Sequence, residues 1–126
     1  LPEESGGITI FAPVGDSGTN TGLCVLAGCE KYDILITGDL PDQAEYRLLS
    51  THALPEVTAL VAGHHGSASS TSQTLLQTLQ PQVVLISVGQ DNPFGHLDDA
   101  VLARIRQSGA EIYRTDQCGS ITILAR

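Results

Sequence analysis

The sequence predicts an α/β fold, a β-sheet with three helices, on three observations. Short β-branched runs alternate with longer amphipathic ones along the chain. Two of the strand runs, residues 34–37 and 83–87, are apolar at nearly every position, the pattern of strands covered on both faces. Polar residues and glycines collect where the strand runs end, which is where an open α/β sheet gathers its chemistry. With 126 residues the chain has room for one core, so a single domain over residues 1–126 is expected.

Taken in order, strands are expected over residues 8–11, 23–26 and 33–37, each a short run rich in Ile, Val or Leu. Residues 41–49 then carry Ala44, Leu48 and Leu49 on one helical face. Asp39 is placed to start this helix, and Pro41 sits where a first-turn proline is tolerated. A strand over 58–62 precedes a helix over 72–79, started by Ser72, whose inward face is Leu75, Leu76 and Leu79. A strand over 83–88 precedes a helix over 98–108 with Val101, Leu102 and Ile105 inward, and Gly109 follows where a left-handed residue is wanted. Strands over 111–114 and 120–124 complete the series.

Composition narrows the class of function. Hydrophobic residues make up 41% and aromatics 4%, so the core is aliphatic. Six Lys and Arg against fourteen Asp and Glu leave a charge of −8, the reverse of an autonomous nucleic-acid binder. A phosphate-binding role would therefore need metal ions. The longest apolar stretches fall well short of the roughly 20 residues of a membrane-spanning helix, which suggests a soluble segment. The start at Leu1, with no Met in the chain and no signal-peptide pattern, reads as a piece of something longer. Cys24, Cys29 and Cys118 form no C-x-x-C and cannot all pair within the chain, so buried free thiols are expected.

Four strand-end loops hold the candidate chemistry. Asp39, in Thr37-Gly38-Asp39, can be an N-cap or a metal ligand. His64 and His65, between glycines at the mouth of a strand, suit neither packing nor a generic turn. Neighbouring residues leaving a strand point in different directions. His65 is therefore read as a metal ligand and His64 as its substrate-facing partner. Ser67 opens a hydroxyl-rich run suited to capping and turns, or to anion contact. His96 either stabilises its loop or meets substrate, and Arg114 and Asp116 can pair with each other or cap a turn.

A serine-hydrolase reading with Ser67, His64 and Asp39 fails for want of a G-x-S-x-G elbow. The chain also lacks both nucleotide-binding glycine signatures, G-x-x-x-x-G-K-[ST] and G-x-G-x-x-G. Metal-assisted hydrolysis is what remains.

Five segments in succession, Leu35-Ile36-Thr37-Gly38-Asp39, Ala62-Gly63-His64-His65-Gly66-Ser67, Ile86-Ser87-Val88-Gly89, Asn92-Pro93-Phe94-Gly95-His96 and Tyr113-Arg114-Thr115-Asp116, carry a resemblance over residues 8–123. The chain resembles the C-terminal metallo-β-lactamase-like domain of the ComEC family of DNA-uptake competence proteins. The resemblance implies half of an αββα sandwich, a mixed sheet with about three helices. It also implies Asp39 and the His64–His65 segment as ligands of a metal; joined to the reading of the loops above, this gives Asp39 and His65 as ligands of a divalent ion, Zn²⁺ or Mn²⁺, with His64, Ser67 and His96 on the substrate side. Asp39 and His64 would then be catalytic in phosphodiester hydrolysis of single- or double-stranded DNA.

The family's H-x-H-x-D-H motif does not occur in these 126 residues, and Leu97 follows His96 where the family has proline. The chain thus reads as the second half of the domain, lacking an N-terminal half that brings most ligands. Two ligands are too few for catalytic zinc, so the isolated piece is expected to bind metal weakly and catalyse nothing. Its uncovered apolar face is expected to self-associate, as a homodimer. The parent is expected to be a polytopic bacterial membrane protein with this domain on the extracytoplasmic side. Two alternatives stay open: a non-catalytic module binding DNA or a partner at the uptake channel, and a hydrolase of a small phosphodiester.

Overall fold

The computed structural model describes residues 7–14, 22–29, 32–89 and 97–124. Strands β1 (Gly7–Val14), β2 (Gly22–Cys29) and β3 (Tyr32–Ile36) form an antiparallel meander. Helix α1 (Asp42–Thr51) then leads to β4 (Ala59–Val61), α2 (Gln73–Leu79) to β5 (Val83–Ile86), and α3 (Asp99–Gln107) to β6 (Glu111–Arg114). Strands β3 to β6 pair in parallel, and the order across the mixed sheet is the order along the chain. A four-residue helix, α4 (Thr115–Cys118), follows and adds a fourth to the three expected.

Each parallel crossover steps one strand in the same direction, and such crossovers are right-handed, so α1, α2 and α3 all land on one face. Under them lies the core. Leu35, Leu60 and Val84 are register neighbours on β3, β4 and β5 and are fully buried. They pack in one cluster with Ala44 and Leu48 of α1, Leu75, Leu76 and Leu79 of α2, and Val101, Leu102 and Ile105 of α3. These are the inward faces that the periodicity predicts, with Leu49 only partly buried at the margin.

The opposite face departs from expectation. Alternate residues point away from the helices, and there Val25, Ala27, Ile34, Val61, Val83 and Leu85 are half-buried while Ile8 and Ile10 are 71% and 61% exposed. Strands expected to be covered on both sides are, among the described residues, covered by helices on one. A helix layer on one face of a sheet whose apolar outer face carries, among the described residues, no helix makes up half of an αββα sandwich.

The seventh strand is also absent. Residues 120–124 join no ladder. After β6 the chain turns through α4 and Gly119, at φ 70°, away from the sheet edge. Ile123 and Leu124 instead share a cleft of about 290 Å³ with outer-face residues that include Ala27, Ile34 and Ala59. An apolar β-branched run here serves surface contact rather than pairing.

Helix starts follow local hydrogen bonding. Ser72 Oγ accepts the Leu75 N–H and the Asp98 carboxylate accepts the Ala100 N–H, so both act as N-caps. Asp39 does not. The N-cap of α1 is Pro41, with no side-chain bond, because Leu40 N–H turns back to the Thr37 carbonyl and Asp42 N–H is taken by the Ser69 carbonyl. Cys24 is buried, and burial, aided by the charge of Glu45, pushes its thiol up to about 12, out of reach of nucleophilic work at neutral pH. Cys118 is exposed, against expectation.

Candidate functional site

At the carboxyl ends of β3, β4 and β5 three loops meet and are tied to one another through the backbone. After β3, Thr37 stays buried because its Oγ1 donates to the Val61 carbonyl on β4, at 3.0 Å. The turn it starts carries Asp39 into solvent. After β4, the His64 N–H donates to the Gly38 carbonyl at 2.7 Å, locking the two turns side by side. The Asp39 and His64–His65 segments, far apart in sequence, are therefore neighbours in space.

The second turn is strained. Residues Gly63–Gly66 form a single 3-10 turn in which His64 (φ 50°, ψ 45°) and His65 (φ 55°, ψ 32°) both occupy the left-handed region. One such non-glycine residue is uncommon, and two in succession cost about 1–2 kcal/mol each. The turn is closed by Ser67 N–H on the His64 carbonyl and anchored by Asp98 N–H on the Gly66 carbonyl. Gly66, at φ 81°, is needed for its backbone conformation, which L side chains rarely adopt. Strain persists only where the surroundings impose it, and here it aims two imidazoles, with ring centroids 6.4 Å apart and planes tilted by 54°. His64→Gly is accordingly expected to leave thermal stability unchanged or raised, whereas replacement of a purely structural residue lowers it; a melting curve checks this.

His65 is exposed and His64 half-buried. His65 Nδ1 lies 2.7 Å from the Ser87 carbonyl, just past β5. A carbonyl only accepts, so Nδ1 carries the hydrogen and Nε2 of the neutral ring carries the lone pair. That is the arrangement of metal-binding imidazoles. The Ser87 region is itself held: Thr115 Oγ1 accepts the Val88 N–H at 2.8 Å and donates to the Val88 carbonyl at 2.9 Å. This side chain replaces the ladder and ends β5 two residues before the expected limit. Beside it Arg114 grips Asp116 with two bonds, at 2.9 and 2.6 Å, as anticipated. Through that bond Arg114 holds the Asp116 carboxyl below its usual range.

Ser67 Oγ pairs with Ser69 Oγ and accepts the Ser69 N–H, the turn role weighed for it. His96 lies outside the described residues. Asp39 and His65 are donor types that Zn²⁺ or Mn²⁺ accepts. Among the described residues, however, no three His, Cys, Asp or Glu side chains gather to hold an ion. As a donor set the pair fits part of a metal centre, short of the roughly three protein ligands of catalytic zinc.

Glu45 and Arg104, which support these loops, escaped the sequence reading, while Thr71 and Thr115 entered it only as members of the hydroxyl-rich run and of a strand-end segment. Glu45 had a signal, since it shares the inward face of α1 with Ala44 and Leu48. A carboxylate on an apolar stripe needs a buried partner.

The fold and these strand-end loops define one half of an αββα domain whose candidate site lies along the exposed carboxyl edge of a mixed sheet. No protein-family model matches the chain. It is 32% identical over 110 residues to ComE operon protein 3 of Bacillus subtilis (strain 168), covering 87% of this chain and 14% of that protein. To competence protein ComA of Neisseria gonorrhoeae it is 34% identical over 109 residues, 86% of this chain and 16% of that one. To recombination protein 2 of Haemophilus influenzae it is 31% identical over 105 residues, 82% and 13%. The chain is thus homologous to one segment of the ComEC-family competence proteins. It spans about one seventh of the length of these relatives.

Proposed function

We propose that this chain is the second half of the metallo-β-lactamase-like domain of a ComEC-type DNA-uptake protein, and that its strand-end loops supply half of a metal-dependent phosphodiesterase site. The observation that carries the reading is the left-handed His64–His65 turn, hydrogen-bonded to the Asp39 turn, with the His65 ring in the tautomer that places a lone pair on Nε2. Asp39 and His65 would hold a divalent ion together with ligands from the other half of the domain. Such an ion activates water and stabilises charge on a phosphoryl oxygen.

The residues of this chain do the rest of the work. Gly38 and Ser87 fix the two donors through their carbonyls. His64, on the same strained turn but differently directed, faces substrate. The chain contributes little positive charge of its own: Arg114 is paired with Asp116 and Arg104 with backbone carbonyls. The field that draws phosphate would come from the metal and from the rest of the parent. Among the described residues no helix is long and apolar enough to cross a membrane, so attachment to the membrane, on its outer side, would also lie with the parent.

The test is hydrolysis of end-labelled single-stranded DNA, with Mn²⁺ or Zn²⁺, by the protein extended upstream to restore the first half, beside its Asp39→Ala variant. Cleavage is expected in the first and loss of at least a hundredfold in the second, since an unliganded position removes metal-dependent chemistry at its source. No cleavage by the folded, metal-loaded protein would overturn the nuclease reading. Cleavage of a small phosphodiester instead would change the substrate. Binding without cleavage of either would point to a recognition module.

A further inference from the structure

The most deeply buried charge in the described chain is one that the proposed chemistry leaves out. Glu45, on the inward face of α1, is 0% exposed. Its Oε2 accepts the Thr71 N–H at 2.6 Å and its Oε1 the Ser72 N–H at 2.9 Å. From α3, Arg104 addresses the same short segment with the opposite polarity: Nε donates to the Thr71 carbonyl at 3.2 Å, and Nη2 to the carbonyls of Ser70 and Ala68 at 3.1 and 3.3 Å. A carboxylate takes the amides and a guanidinium takes the carbonyls, so the segment is clamped from both sides.

The clamp holds Thr71 at φ 55°, a conformation that a β-branched residue shuns. So held, Thr71 Oγ1 accepts the Gly63 N–H at 3.2 Å, at the first residue of the histidine turn. One residue earlier, buried Ser70 donates its hydroxyl to the Leu40 carbonyl at 2.7 Å, immediately after Asp39. Two consecutive residues of the clamped segment thus grip the backbone beside both candidate donors.

We propose that Glu45 is a positioning residue which, through Ser70 and Thr71, sets the Asp39 turn and the His64–His65 turn against each other. This rests on the reading of those turns as one site. The chemistry explains why a carboxylate stands there: two amides 71 and 72 need two acceptor oxygens on one side chain, which glutamine, with one oxygen and an NH₂ group, does not provide. Aspartate is one methylene too short to span from α1.

Imidazole ¹⁵N and ¹³C spectra of this chain test the link without metal or DNA. In Glu45→Gln and Thr71→Val, the ring signals of His64 and His65 are expected to shift, and the Nδ1–H pattern of His65 on Ser87 to be lost. Thr71→Val keeps the Glu45 bonds and the β-branch while removing the acceptor for Gly63, so it decides the matter alone if Glu45→Gln does not fold. Leu79→Ala, which opens a void at the last residue of α2 and removes no hydrogen bond of the clamped segment, is expected to lower stability with the ring signals in place. Unmoved rings in folded Thr71→Val, or rings that Leu79→Ala moves as far, would overturn the proposal. Failure of the nuclease reading would leave these spectra as they are, so the two ideas stand or fall separately.

Discussion

Glu45→Ala is expected to destabilise the chain by about 3–5 kcal/mol. It strands two buried amides, of Thr71 and Ser72, each costing about 1–3 kcal/mol when unsatisfied, and leaves a void between α1 and the segment leading into α2. Against the total of about 5–15 kcal/mol typical of a domain this is a large fraction, and denaturant unfolding measures it directly. The same residue gives stability a pH dependence of definite sign. Burial raises its carboxyl above the ordinary value of 4.5, outweighing the amide bonds, which act to lower it. The folded chain therefore keeps a proton at pH values where the unfolded chain has lost it. This contribution is complete below the ordinary carboxylate range and declines as pH rises through the raised folded value. Asp116 acts in the opposite sense: the bond from Arg114 lowers its carboxyl, so its contribution is present above 3.8 and is lost as pH falls through the lowered value. Unfolding measured across acid pH is expected to lose the first slope in Glu45→Gln and the second in Asp116→Asn.

Leu60→Ala is expected to cost about 2–5 kcal/mol. Leu60 is fully buried at the centre of β4, between Leu35 on β3 and Val84 on β5, both also fully buried. Parallel strands on each side and helices above hold the surrounding walls apart, so the void left by the lost methyls cannot close. Because β4 runs directly into the histidine turn, the loss should reach the site as well as the melting temperature. A cost under about 1 kcal/mol would mean that the sheet is looser at its centre than its packing implies.

The sequence by itself determined the elements and their inward faces. Leu75, Leu76 and Leu79 on one helix, and Val101, Leu102 and Ile105 on another, are spaced by helical geometry, which depends on neighbours three and four residues away and is written locally. It also showed Asp39, His64 and His65 at strand ends, because glycines and polar residues interrupt the apolar runs there. What it could not show was which faces find a cover. The run 83–87 reads as covered on both sides, yet its outward residues Val83 and Leu85 are half-buried, since the right-handed crossovers place α1, α2 and α3 on the other face. The run 120–124 reads as a strand, yet pairing needs a free neighbour, and the turn at Gly119 carries the chain away from the edge.

Tertiary structure alone decided how the site is held together. Glu45 and Thr71 are 26 residues apart, Arg104 and Thr71 are 33, and His65 and Ser87 are 22. A hydrogen bond across such a span leaves no periodicity in the chain. Only when the strands align do a buried carboxylate, a guanidinium and a strained turn come within 3.3 Å of their partners. The kind of chemistry could be read from residue types and their place at strand ends, because charge and lone pairs belong to single residues. Its geometry could not, because a hydrogen bond belongs to two.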